Sequence, residues 1–537
     1  MVDLPAPEIP LALLTTIGLI VFSYFEMHYR FRYLPFSRYF KREPEILAET
    51  PHRLEPGRKL PLTILIKDAH RFPITLHKIG FTLIDDRDQQ RNGEKNYSQI
   101  LSSAWFEDIV EIDTGDLSGQ IRTTVDFLYE IDGRVKTARN HNVSTSPAFP
   151  LVTRLADDPL PGSDDYFWGD LHYHSAYTED FVEYGAPLKA TKATAEALGL
   201  DFVAISDHSY DLDNENGSWK DNDPDLKKWF KSRREIAEIN TSPGPVLLPA
   251  EEVTVRNTNG KNVHFLIFNH PDFIPGSGDS AEQWLHTKSE HSVTEVLNIL
   301  DKNALAIAAH PFMSPPFLQT LLLNRVLWES ADLQLPGLTG LQVINGYLTP
   351  DMIDSWVTIL LTGKRCFIYA GNDAHGNFNH FHQIKIPMLS THHHRNQILG
   401  QWRTGVLRNG ELALEKLITR LRRGNCIVSN GPAVTLTANS TDGVFLPGDS
   451  SPAAEFALEL DCRSSPEFGK LDQIRIYQGK IGAQSETIIH TESWSNDSYA
   501  TIIKLAEQRL AEPGYIRAEL TTTTGKKCLT NPIWFSI

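Results

Sequence analysis

The sequence predicts an α/β protein: a barrel of strand–helix repeats set between two β-sandwiches, behind a single N-terminal transmembrane helix. Three observations predict it. An uncharged apolar run opens the chain, period-two apolar alternation occupies both flanks, and strands alternate with helices in the middle, with His, Asp and Glu at the strand ends. At 537 residues the chain is too long for one ordinary core, and four units are expected: 1–45, 46–161, 162–432 and 433–537.

The first unit holds the run from Ile9 to Phe25, roughly 17 residues and about 26 Å of helix, the low end for crossing a bilayer. Arg30, Arg32, Arg38, Lys41 and Arg42 follow, interleaved with Tyr24, Tyr29, Tyr33, Phe36, Tyr39 and Phe40. That mixture is the composition of an interfacial belt. No Lys or Arg precedes the run, so an uncleaved single-pass anchor is expected rather than a signal peptide, with the catalytic unit on the cytoplasmic side.

In the second unit, Leu62–Ile66, Ile79–Ile84 and Thr123–Tyr129 alternate with period two and are punctuated by Pro56-Gly57 and Asp132-Gly133. An immunoglobulin-like sandwich accounts for this, and it carries no chemical constellation. The fourth unit returns to β-type segments after Asn430-Gly431-Pro432, notably Glu455–Leu460, Ile474–Tyr477 and Tyr515–Leu520. A second sandwich is the simplest account.

The third unit has apolar strands at Phe202–Ile205, Val246–Leu248, Val263–Ile267, Leu305–Ala308, Gly340–Ile344 and Cys366–Tyr369, with helices expected at Pro187–Leu198, Ser292–Asp301 and Asp351–Thr362. Parallel α/β sheets place their chemistry at the carboxyl edge of the strands. That edge is where the ionisable residues fall. His172 and His174 are two apart in an extended segment and so share a face, with Asp180 in the loop beyond and Glu179 beside it as a substitute. Asp207-His208, Glu251-Glu252, His264, His310 and the pair Asp373 and His375 end the following strands. One histidine at a strand end is an ordinary core residue; nine ligand-type side chains, buried without partners, would each cost a few kcal/mol, on the order of ~2–7. Metal ions remove that cost. The donors are imidazole and carboxylate with no thiolate, which suits Zn, Mn or Fe alike.

In this order of motifs residues 166 to 432 resemble the polymerase and histidinol phosphatase (PHP) superfamily of metal-dependent hydrolases. The segments GDLHYHSAYTED, GNDAHGNFN and SNGP are most similar to the branch named after carbaryl hydrolase, as are the flanking β-domains and the closing TNPIWF. The resemblance implies a distorted (β/α)7 barrel and two or three divalent ions. It implies a first ion on His172, His174, Glu252 and Asp373, a second bridged by Glu252 and completed by His264 and His310, and a third on Asp180, His208 and His375. Pro249-Ala250 stands where such families more often have Gly before the acidic ligand, so Glu251 competes with Glu252 for the bridge.

The activity expected is ester hydrolysis with a metal-held hydroxide as nucleophile, phosphate esters ranking ahead of carboxylic or carbamate esters. Asp207, Glu252 and His310 are the candidate catalytic residues, Asp207 as a group that orients a histidine. A membrane-tethered binding or scaffold protein with a vestigial site is the alternative from another class. Asn345, His380, His382 and His392 to His394 sit in loops that could reach a substrate, the last three in a polar, solvated stretch.

With 67 acidic and 51 basic side chains the net charge is -16, which disfavours nucleic acid as a partner. A small anionic ester could still be clamped locally by Arg256, Lys261, Arg325 or Arg395. The four cysteines are scattered and form no metal or disulfide pattern.

Overall fold

The computed structural model describes residues 25–26, 42–142, 148–179, 185–218, 220–280, 287–315, 317–386, 390–394, 396–495 and 497–536. The N-terminal unit is a two-sheet sandwich. One sheet has the order Glu45–Glu49, Leu60–Lys67, Trp105–Ile112; the other runs Arg53–Leu54, Leu151–Leu155, Gln120–Ile131, Ile74–Ile84, Gln90–Leu101. Alternate residues of Gln120–Ile131 are buried, as period-two patterning requires. Ile64, Ile79, Val125 and Phe127 meet in its core, which also takes in Ala197 from the helix Leu188–Leu198.

Glu49, at the end of its strand, is fully buried, and burial holds its carboxyl well above the ordinary 4.5 against the pull of the Thr50 and Asn379 backbone N–H groups. A folded-state value above the unfolded one gives stability that is complete below the unfolded value and is lost as pH rises through the folded one. Melting temperature is therefore expected to fall, as pH rises above the ordinary carboxylate range, more steeply in the native chain than in Glu49→Gln. Parallel curves for the two proteins would contradict this.

The middle of the chain departs from the expected barrel. Its sheet has the order Phe367–Gly371, Gly340–Asn345, Leu305–Ala308, Asn262–Phe268, Val246–Arg256, Phe202–Ile205, Tyr166–His174, Arg403–Leu407, Cys426–Ser429, and then continues through Lys527–Thr530 into Gly514–Thr522, Leu471–Lys480 and Thr487–Ser493. Eight pairings along this order are antiparallel, among them Val246–Arg256 with Asn262–Phe268, Asn262–Phe268 with Leu305–Ala308, and Tyr166–His174 with Arg403–Leu407. Of the described residues 43% are strand and 15% helix. This is a large, curled, mixed sheet, not a (β/α)7 barrel of the PHP type. The physical reason is visible at residues 257–261, a turn closed by Asn257 and Lys261 that is too short for the dozen or so residues a parallel crossover needs.

The helices fall where the periodicity puts them, at Leu188–Leu198, Val293–Ile299 and Pro350–Leu361. C-terminal strands Ala433–Ser440, Glu455–Arg463 and Ala500–Arg509 form a separate sheet with Gly443–Phe445. Leu436 and Leu460 of that sheet share one core with Trp168 and Leu198, so the last unit is built onto the middle one.

The membrane anchor does not stand. Among the described residues no helix is long and apolar enough to cross a membrane. The span Ile9–Phe25 lies outside the described residues except for Phe25, and Phe25–Glu26 pairs as a strand with Gln383 and Ile384. The single-pass localisation expected from that run is not supported.

Candidate metal centre

Curling of the sheet returns its far edge to its middle. Beyond Gly371, residues Ala374 and His375 pair in parallel with Tyr173 and His174. Gly371 makes the approach possible, because a Cβ there would lie 2.6 Å from the Cβ of His172 and 2.8 Å from its nitrogen. Gly371→Ala is accordingly expected to cost about 1–3 kcal/mol of stability through overpacking and to displace His172. Thermal melting and bound-metal content check it, and an unchanged value of both would contradict it.

Eight ionisable side chains converge on the space so formed. The Glu252 carboxylate is at the centre. Its Oε1 lies 2.7 Å from His264 Nδ1 and 3.2 Å from His310 Nε2, and its Oε2 lies 3.3 Å from Nε2 of both His172 and His174 and 3.1 Å from His208 Nδ1. Asp373 Oδ1 is 3.3 Å from His172 Nε2 and 3.1 Å from His174 Nε2. His375 stacks on His174 with ring centroids 4.1 Å apart.

Glu251 is not the bridge. Adjacent strand residues face opposite ways, and Glu251 turns to accept from Trp229 Nε1 and Arg233 Nη2, both at 2.6 Å. Glu252 alone of the pair faces the histidines.

The outer nitrogens of the rings are also held. His172 Nδ1 is 2.9 Å from Gln342 Oε1, His174 Nδ1 is 3.1 Å from Thr178 Oγ1, and His264 Nε2 is 2.7 Å from Asp279 Oδ2. Each outer partner takes the ring N–H, so the inner nitrogen turns a lone pair toward a carboxylate. The two inner nitrogens of His172 and His174 are only 3.0 Å apart. Lone pairs set against lone pairs at this range need a proton or a cation between them.

Protons can supply part of that charge. For His172, burial opposes protonation but Glu252 and Asp373 raise it to about 9. For His264, burial and Arg325 oppose it, and Glu252 and Asp279 raise it to about 9. Glu252 and Asp373, despite burial, are held well below the usual carboxylate range by the histidines. His208 goes the other way: burial and His174 press it down to about 4.

Among the described residues, ligand atoms within 4.8 Å of one another form three sets: His172, His174, Glu252 and Asp373; His208, Glu252 and His264; and His174, His208 and His375. The first set has the same four residues that the resemblance implies for a first ion. The second joins Glu252 and His264 as expected but with His208, while His310 touches Glu252 from the Arg325 side, where Arg325 Nη2 is 3.5 Å from its Nε2. The third brings His208 and His375 together with His174; Asp180 lies outside the described residues, and its neighbour Glu179 pairs with Lys67 at 2.6 Å. His310 and Asp373 also share backbone strain, with φ of 29° and 52° in the region non-glycine residues avoid.

Asp207 stands behind the centre. It accepts hydrogen bonds from the backbone N–H and hydroxyl of both Ser175 and Thr178, at 2.7 to 3.1 Å. Through Thr178 it orients His174 and does not face the reacting space. Asn345 donates to Asp373 Oδ2 at 3.1 Å. His380 bonds Asn379 instead of reaching inward. The side chains of His382 and His392 to His394, and Arg395, lie outside the description.

Asp279, Gln342 and Thr178 were not singled out by the sequence, nor was Asp170, buried beneath His172 and bonded to Asn372 Nδ2 at 2.6 Å. Asp170 carried a signal, since it continues the i, i+2 row of His172 and His174. Asp279 carried none, lying in the loop around Gly276–Ser280. Of the basic candidates, Arg256 pairs with Glu295 and Lys261 with Asn324, whereas Arg325 enters the centre with Nη2 3.1 Å from His264 Nδ1. All four cysteines are buried and free.

No family profile and no curated protein matches the chain. Solved structures give faint likenesses. A calcium-binding mutant of Bacteroides uniformis β-glucuronidase 2 has TM-score 0.20 and 9% identity over 91% of this chain and 60% of its own. A Paenibacillus cycloisomaltooligosaccharide glucanotransferase has 0.18 and 10% over 91% and 71%, and a Bacteroides fragilis putative β-galactosidase 0.18 and 10% over 91% and 73%. The chain thus spans about three-fifths of the first of these, and likenesses of this size carry no argument about fold or chemistry.

Proposed function

We propose that the chain is a metal-dependent hydrolase of small anionic esters, phosphate esters foremost. The observation that carries the reading is the Glu252 carboxylate, whose two oxygens face five imidazoles from two sides at 2.7 to 3.3 Å. A buried set of imidazoles and carboxylates, with outer partners on the rings, is the donor set that divalent cations take. The ligand order remains similar to that of the PHP superfamily even though the supporting sheet is different.

His172, His174, Glu252 and Asp373 would hold one ion, with Glu252, His264 and His208, and His174, His208 and His375, serving the neighbouring positions. Such ions polarise an ester and acidify water for its attack. The chain's own residues do the rest. His310 and Asp373 are the most open members, their side chains 9% and 16% exposed, so substrate enters on their side. Arg325 stands beside His310 with a fixed positive charge, suited to a phosphoryl oxygen. Asn345 holds Asp373 in place, and Asp207, through Thr178, holds the His174 ring.

Assays on nitrophenyl phosphates against naphthyl esters and carbamates test the substrate class. Hydrolysis confined to the carbonyl substrates would overturn the phosphate assignment in favour of the second reading. Arg325→Ala is expected to raise KM for a phosphate ester by about 10- to 100-fold, a charged hydrogen bond of roughly 1.5–3 kcal/mol, with a smaller effect on an uncharged carbonyl ester. Equal effects on both would show that Arg325 does not read the anion.

A further inference from the structure

The loops that carry His375 and the outer partner of His174 are held by the N-terminal sandwich as well as by the sheet that carries the other ligands. Asn379, four residues past His375, is buried and ties its amide there: Oδ1 accepts from Val152 N–H at 3.0 Å besides meeting His380 Nδ1 at 2.6 Å, and Nδ2 donates to Val152 O at 3.0 Å and to Thr50 O and Oγ1 at 3.2 Å. Next to it, Phe378 O accepts from His52 N–H at 2.9 Å, and His52 Nε2 is 3.1 Å from Leu399 O. Across the site, Glu179 follows Thr178 and pairs with Lys67 at 2.6 Å, with Lys67 almost fully buried against Trp105.

We infer that the N-terminal sandwich is a working part of the metal centre, and that Asn379 is a positioning residue that fixes His375 and with it the ion position shared by His174, His208 and His375. The inference rests on the metal reading proposed above. A buried amide bonded in this way cannot shift without leaving polar groups of the sandwich unpaired. His375, paired through its backbone with His174 and with its Nδ1 3.2 Å from Asp373 O, is followed by a short chain anchored at Asn379. Ions at the other two positions do not use this loop beyond Asp373.

The test compares native protein, His375→Ala, Asn379→Ala and Thr50→Val, each loaded with cobalt(II), by metal content after dialysis and by the visible spectrum. Thr50→Val removes one hydroxyl partner and serves where Asn379→Ala does not fold. The expected result is that Asn379→Ala, like His375→Ala, loses one ion per chain, its affinity at that position weakened about 10- to 100-fold, with the absorption of the remaining ions unchanged. Thr50→Val is expected to weaken the same ion by less. Full retention by Asn379→Ala, with one ion lost by His375→Ala, would overturn the inference and leave the metal reading intact. A native protein that binds no cobalt would overturn both.

Discussion

Replacing Glu252 by glutamine is expected to reduce hydrolysis by more than about 100-fold, above the range seen for outer partners of metal ligands, and to lower bound metal by at least one ion per chain. The residue touches His172, His174, His208, His264 and His310 together, and an amide keeps its size while removing its charge and one acceptor. The same change leaves His172 and His264, both raised to about 9 by carboxylates, without their main counter-charge. Breaking a buried ionic cluster by removing one partner costs about 3–5 kcal/mol, so the ion-free variant is also expected to melt lower than the ion-free native protein. Unchanged metal content with lost activity would assign Glu252 a purely chemical role and remove it as a bridge.

Stripping the ions with a chelator is the second large effect. Each ion bound at a hundredfold excess over its Kd stabilises the fold by about 2.7 kcal/mol. At about 2–4 °C for each kcal/mol in a large domain, two ions correspond to a fall in Tm of about 10–20 °C. Loss is expected to begin in the middle unit, where the curled edge from Gly371 to His375 is closed by short pairings to Tyr173 and His174. The N-terminal sandwich has its own core around Ile64, Ile79 and Phe127 and is expected to retain its strands. Calorimetry with and without chelator measures this, and coincident curves would contradict it.

The candidate site was far more legible than the fold. Ligands on strands obey a period of two, and strand ends are marked by the change from apolar to ionisable residues, so His172, His174, His208, Glu252, His264, His310, Asp373 and His375 could be found one strand at a time. The choice of Glu252 over Glu251 needed the tryptophan and arginine that claim Glu251 from the other face. Strand direction was another matter. Val246–Arg256 and Asn262–Phe268 are apolar whichever way they run, and only the short turn at residues 257–261 distinguishes a hairpin from a crossover. Asp279 and Arg325 reach the centre from loops, where no periodicity exists to announce them. The continuity of Cys426–Ser429 with Lys527–Thr530 depends on pairing across about a hundred residues, which local patterning does not encode.

The most direct test of the metal centre is the metal content of the purified protein, native and His172→Ala, by elemental analysis. Two or three divalent ions per chain are expected in the native protein, with at least one lost in the variant. Less than one ion per chain, unchanged by His172→Ala, would contradict the account and leave a buried histidine cluster neutralised by protons alone.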